Sequence, residues 1–324
     1  MDGVKELAFR QVRAAPAPGA GEALASTGLT ACGKALYLFV RDDPSGEVHA
    51  REESGIGNFP VPRMKTAKAF RLVAVDAEGG CGDWTIPPVD LAFPRAQLFP
   101  DGRIVLAATR AVWRSEDDYD LNGIIYNPAT GNVQRILLGD GIADISVDAK
   151  GRIWASYFDE GIFGNFGWDH PGPPGPGAGG LVCFDPDGKI LWRFNGPDSD
   201  DSIDDCYAMN AAPDGVWICY YTDFSLCRIA PDFSRTYIHQ THISGAGAFA
   251  IHDEAVLFSR QYDEAPDTMH LARRTKDGLQ RPQKIRAALP NGTDIATANL
   301  IGCGSDMHVL SNTGWFTANL QDLL

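Results

Sequence analysis

The sequence predicts an all-β chain, a six-bladed β-propeller whose last blade is closed by the N-terminal strand. Three observations predict it. The 324-residue chain repeats one unit at a period of about 40–50 residues, the mark of a propeller or solenoid. Each unit sets two strand-type apolar runs around a tight turn, most plainly in residues 96–108, 143–155 and 209–219. No long segment shows the sustained 3.6-residue periodicity of a helix. The 35 glycines and 21 prolines suit a chain of many strands and turns.

Taken in order, residues 7–13 form a strand that no unit uses, and they are expected as the outer strand of the last blade. The Ala/Pro/Gly-rich stretch 14–25 then crosses to the innermost strand of blade one. Blade one begins near Leu29 and ends near Ile86. Blade two spans residues 95–138 and closes with a hairpin over 123–137. Blade three spans 141–194, its outer hairpin marked by Asp185-Pro186-Asp187-Gly188 between two strand-type runs. Blade four runs from Asp205 to about His239, and blade five from Gly245 to about Ala288. Blade six starts at Asn299 and has a candidate third strand over 313–320. The whole chain, 1–324, is expected as one domain. Two insertions, 41–66 and 158–180, each follow the second strand of a unit. Both should overhang one end of the central channel, and loops on a rigid scaffold are where binding concentrates.

Composition narrows the partners. The net charge is −14, from 28 basic and 42 acidic residues. This argues against a nucleic-acid groove or an anionic membrane surface, both of which require clustered Lys and Arg. The seven cysteines show no C-x-x-C spacing, and several sit in apolar strand runs, as reduced buried thiols do. The N-terminus lacks an apolar signal core and no run approaches 18 apolar residues. A cytoplasmic protein is the expectation.

Aligning the units on their inner turn exposes where chemistry can sit. Four residues before the turn stand Gly28, Gln97, Asp144, Asn210, Phe249 and Gly302. Six before it stand Ser26, Arg95, Ile142, Ala208, Gly247 and Leu300. These are innermost-strand positions, where small or apolar residues pack one blade on the next. Arg95, Gln97, Asp144 and Asn210 break that rule, and polar groups deep in a fold must be paired or useful. Two readings stand. The four tie neighbouring blades in register, with Arg95 on Asp144, or they line a ligand pocket. On the second reading Asp144, Arg95 and His242 are the catalytic candidates. Gln97, Asn210, Tyr207, Phe166 and Trp168 are the substrate contacts. The aromatics Phe166 and Trp168 lie in the second insertion and serve equally well as a small core pinning that loop. Oxygen-rich loops, including Ser115–Asp120 and the five aspartates of 196–205, converge on the same end, an environment for Ca²⁺ or another hard cation. His239 and His242, three apart on a strand or loop, do not share a face, which disfavours zinc between them. No G-x-S-x-G elbow, nucleotide cradle or flavin signal is present.

The repeat Pro-Asp-Gly-(Arg/Val)-(Ile/Trp)-apolar, with Gly-Arg-Ile-Trp-Ala-Ser-Tyr-Phe-Asp over 151–159, resembles six-bladed propellers of the SMP-30/gluconolactonase and NHL type across about residues 29–309. The resemblance implies a hydrolase of small lactones or esters, using a divalent cation (Ca²⁺, Mn²⁺ or Zn²⁺) held by Glu, Asn and Asp. Asp144, Asn210, Asn299 and Asp205 stand near where such ligands would be, while Ser26 and Gly28 occupy the start of the first inner strand, where a glutamate is implied. The resulting expectation is a small-molecule hydrolase or lyase. The alternative is a non-enzymatic scaffold that binds a protein or peptide across the same face.

Overall fold

The second strand of blades two, three and five, Ile104–Ala108, Ile153–Tyr157 and Ala255–Ser259, is buried at every residue. Ala35–Arg41 of blade one is buried up to its last residue. Both faces of these strands are covered, so their sequences read as unbroken apolar runs rather than alternations. In the computed structural model, residues 5–55, 57–195, 201–239, 241–276, 278–290 and 294–324 are described. They form an all-β, six-bladed propeller in which five blades are antiparallel sheets of four strands and the sheet of blade five has six, one of them parallel. The chain divides into two compact units of three blades. One comprises 16–30 and 34–205, and the other centres on 206–324 with the N-terminal strands.

In the first unit, blade one is Glu22–Leu29, Ala35–Arg41, Arg63–Val75 and Cys81–Leu91. Blade two is Pro94–Leu98, Ile104–Ala108, Gly123–Tyr126 and Val133–Ile136. Blade three is Ile142–Val147, Ile153–Tyr157, Leu181–Phe184 and Ile190–Arg193. The first strands of the three blades lie beside one another. The inner turns form as the sequence directs. At 99–103, Phe99 N donates to Arg103 O at 2.8 Å, and Arg103 N to Asp101 Oδ1 at 3.1 Å. Gly102 takes φ +87°, a region open to glycine. The insertion after Arg41 carries a 3₁₀ turn, Glu47–His49, and a hairpin of Arg51–Ser54 with Gly57–Pro60. The insertion after Tyr157 carries a short helix, Asp159–Phe163, and a 3₁₀ turn, Pro176–Gly179.

In the second unit, blade four is Asp205–Ala212, Gly215–Tyr221, Leu226–Ile229 and Arg235–Ile238. Blade five runs from Phe249–His252 to Gln283–Ala288, and blade six joins Asn299–Cys303, Asp306–Leu310 and Gly314–Asn319. Strand Arg10–Ala14 completes blade six, pairing antiparallel with Gly314–Asn319. The N-terminal segment is nevertheless shared. Glu6–Ala8 lies parallel to Gln283–Ala288 of blade five, with Leu7 opposite Ala287. The reason is the placement of Leu7 and Phe9, two residues apart, whose buried side chains join one core with Met269, Ile285, Val309 and Phe316. A strand wholly on blade six would not serve both sheets.

His308, in the second strand of blade six, accepts at Nδ1 from Trp315 Nε1 at 3.0 Å. Burial lowers its pKa from 6.5 to about 4, with Asp306 opposing. Between those values the unfolded chain binds the extra proton, so stability is complete above pH 6.5 and is lost as pH falls through 4. The shift corresponds to about 3 kcal/mol. Urea unfolding at pH 7 and pH 4 should show this loss, and His308→Gln, which keeps an acceptor but cannot titrate, should lose less of its stability on acidification than the wild type.

Candidate functional site

Arg110 follows the apolar strand Ile104–Ala108 and is 2% exposed. A guanidinium cannot shed its charge, so burial demands counter-charges and donor partners. Asp140, equally buried, accepts from Nη2 at 2.9 Å and from Ala111 N at 2.8 Å. Glu160 accepts from Nη1. The guanidinium carbon lies 5.3 Å from the Phe158 ring centroid and 4.5 Å from that of Phe166, within cation–π range. Burial raises the Asp140 pKa to about 6, with Arg110 acting against it.

This cluster holds the second insertion onto blade two. The helix Asp159–Phe163 rests on the chain at 140–141 so closely that a Cβ on Gly161 would meet Asp140 O at 2.3 Å. Trp113 N donates to Phe166 O at 2.9 Å and Trp168 Nε1 to Ala111 O at 3.0 Å. Trp168 is buried and Phe166 half-buried, so the two aromatics expected against a substrate form the small core that pins the loop. On the other side of blade two, Asp120 accepts from Arg114 at 2.8 Å, from Arg63 at 3.2 Å and from Val112 N at 3.0 Å. Arg63 also meets Asp90 at 2.5 Å, and Arg135 meets it at 2.7 Å. Burial acts to raise the Asp90 pKa, but the Arg135 and Arg63 bonds outweigh it and lower it. A cleft of about 300 Å³ opens among these residues.

The inner-strand residues divide into two kinds. Gln97 is 4% exposed, and its amide donates to Leu29 O at 3.0 Å and Ile145 O at 3.2 Å, joining blades one and three through blade two. Its Oε1 has no donor among the described residues. Asn210 is fully buried. It donates to Phe249 O at 2.9 Å and Gly304 O at 3.0 Å, and accepts from Gly304 N at 2.7 Å. These bonds tie strands together. The equivalent Gly302 has no room for a side chain, since a Cβ there would stand 1.6 Å from Phe249 O. Arg95 and Asp144 differ. Nη1 and Oδ1 are 3.4 Å apart, and the side chains remain 37% and 40% exposed. Asp144 is recessed yet open to water. Burial raises its pKa, with Arg95 and its bond from Ile145 N opposing. Arg95 Nε is buried without a partner.

The other expected residues are scattered. Asp205, half-buried, is raised to about 6 by burial and by the neighbouring Asp159 carboxylate. Tyr207 packs against Phe224 and Tyr262, with centroids 5.8 and 5.9 Å away. His242 is exposed, with φ +60°. Asn299 is half-buried at the first residue of its strand. Residues 196–200 of the aspartate-rich connection 196–205, and residues 291–293 between blades five and six, lie outside the described residues. Of the expected cation donors, Asn210 already serves the strand ties, its amide donating to Phe249 O and Gly304 O and accepting from Gly304 N. No three His, Cys, Asp or Glu gather to hold a metal among the described residues. Sequence reasoning missed Arg110, Asp140 and Glu160. Their signal was a lone cation directly after an apolar strand and an aspartate between two glycines, Gly139 and Gly141, both at positive φ.

The YxzG family model matches residues 181–317, less than half of the chain. Among curated proteins no relative matches. Solved structures similar to this chain include virginiamycin B lyase from Staphylococcus aureus (10% identity, 92% of this chain and 97% of that one, TM-score 0.44), a streptogramin B lyase (13%, 96% and 97%, 0.47) and a chain of a mitotic checkpoint complex (7%, 96% and 92%, 0.44). At these identities and TM-scores none of the three bears on chemistry.

Replacing Arg110 by Met should leave Asp140 buried without its counter-charge and cost about 3–5 kcal/mol in urea unfolding. Adding Asp140→Asn to that variant should recover part of the loss, since the two sites are coupled.

Proposed function

We propose that this chain is an enzyme, a hydrolase or lyase of a small organic molecule, working at Asp144 and Arg95. The observation that carries the reading is a carboxyl group that water can reach, whose pKa is nonetheless raised, beside a guanidinium with an unpartnered Nε. A carboxyl whose pKa is raised above the ordinary carboxylate range holds a proton more readily than a free one, which suits a group that takes and returns protons. Asp144 removes a proton from water or from an acidic carbon, and Arg95 stabilises the negative oxygen that develops. Their contact of 3.4 Å is longer than a close charge-assisted bond, so exchanging it for a substrate oxygen costs little.

The scaffold alternative has less support. Phe163, 60% exposed, is the lone exposed large apolar side chain among the described residues of the two insertions. One ring is not a docking patch.

A panel of small lactones, esters and elimination substrates tests the proposal. Asp144→Asn should cut the turnover of any accepted substrate by about 10²–10⁴-fold while the protein stays folded. The rising limb of kcat/KM should sit above the ordinary carboxylate range, as the raised Asp144 pKa requires. An Asn variant as active as the wild type would sink the reading, as would a wild type inert to the whole panel. Ca²⁺, Mn²⁺ or Zn²⁺ should not raise Tm. A metal bound at a hundredfold excess over its Kd adds about 2.7 kcal/mol, and such a rise would return Asp144 and Asp205 to a ligand role.

A further inference from the structure

We propose that the cleft between blades one and two is a second binding site, for a small organic oxyanion, separate from Asp144. The argument is an account of donors and acceptors. Arg63, Arg110 and Arg135 line the cleft with Asp90, Asp120 and Asn122. The acceptors are occupied. Both oxygens of Asp120 are bonded, by Arg63 and Arg114 on Oδ1 and by Val112 N on Oδ2. Asp90 takes Arg135 on Oδ1 and two bonds from Arg63 on Oδ2. Asn122 donates to Ala108 O and Gly139 O, and accepts from Leu138 N and Gly139 N.

The donors are not all used. Arg110 is 2% exposed and its buried Nε has no partner among the described residues. A buried N–H left unmade is a standing free-energy cost, and the Arg110 Nε, with no exposed surface, meets a ligand acceptor once its guanidinium shifts towards the cleft. Among the described residues Arg135 gives Nη2 to Asp90, and its Nε and Nη1 have no protein acceptor, while Tyr119 also lines the cleft. What the cleft lacks is therefore acceptors bearing negative charge, the chemistry of a carboxylate or phosphate. Pro62, Leu91 and Leu121 give the same cleft an apolar wall, and about 300 Å³ accommodates a small organic body behind the anionic head. A cation would find each carboxylate already held by two guanidiniums.

Isothermal titration calorimetry on the full chain, with phenylacetate, inorganic phosphate and benzamidinium as probes, tests this. One or both anions should bind and benzamidinium should not. Phenylacetate binding more tightly than phosphate assigns a carboxylate with an apolar body, and the reverse order assigns a phosphate head. Arg135→Gln should weaken the anion about tenfold. Asp90→Asn should strengthen it, because Arg63 and Arg135 are then released from a charged partner, and a merely misfolded variant could not do that. Asp144→Asn should bind the anion as the wild type does, so that loss of turnover and loss of this site are told apart. Absence of anion binding at about 10 mM, equal binding of benzamidinium, or indifference to both cleft substitutions would overturn the proposal.

Discussion

The placement of the second insertion depends on one buried guanidinium. Arg110 is buried at the end of an apolar strand, and a guanidinium carries donors on every side and no acceptor. It must therefore be surrounded, and the groups that surround it come from elsewhere: Asp140 from the connection between blades two and three, Glu160, Phe158 and Phe166 from the second insertion. Satisfying one guanidinium brings a long, glycine-rich loop to a single position. The glycines are the geometric counterpart, because a side chain at Gly161 would hold the loop away from Asp140.

Blade two is the hub of this arrangement. Its loop between the second and third strands presents Arg110 towards blade three and Asp120 towards Arg63 of blade one. Such ion pairs are weak evidence for stability, since desolvation offsets most of their attraction. They are strong evidence for a defined geometry, since each bond is directional. The cleft beside Asp120 keeps its shape for that reason, with its carboxylates engaged and part of its guanidinium surface unengaged.

The inner strands solve a different problem. Gly28, Gln97, Asn210 and Gly302 hold equivalent positions, where each blade meets the backbone of a neighbour. A glycine lets the backbone approach, and an amide answers it with hydrogen bonds. Gln97 and Asn210 belong to that scheme. Arg95 and Asp144 do not, because their bond is long and their side chains still meet water. Two polar residues in one alignment column thus serve packing, while a third, with its partner two positions before the column, is left open to solvent.

Blade count, inner-turn positions and the two insertions were legible in the sequence because they rest on local chemistry: apolar runs, Asp-Gly turns and interruptions of a repeat. So was the closing role of the N-terminal strand, although its division between blades five and six was not. That division follows from where Leu7 and Phe9 are buried, and burial is set by partners distant in sequence. The breaks in the repeat pointed to Arg95, Gln97, Asp144 and Asn210 without telling hydrogen-bonded ties from an open ion pair. Only the tertiary structure decided that, and only it disclosed Arg110, because the partners of a buried charge lie about 30 and 50 residues away along the chain. Repeats are written locally in the sequence, whereas the satisfaction of a buried polar group is decided by which loops the fold brings against it.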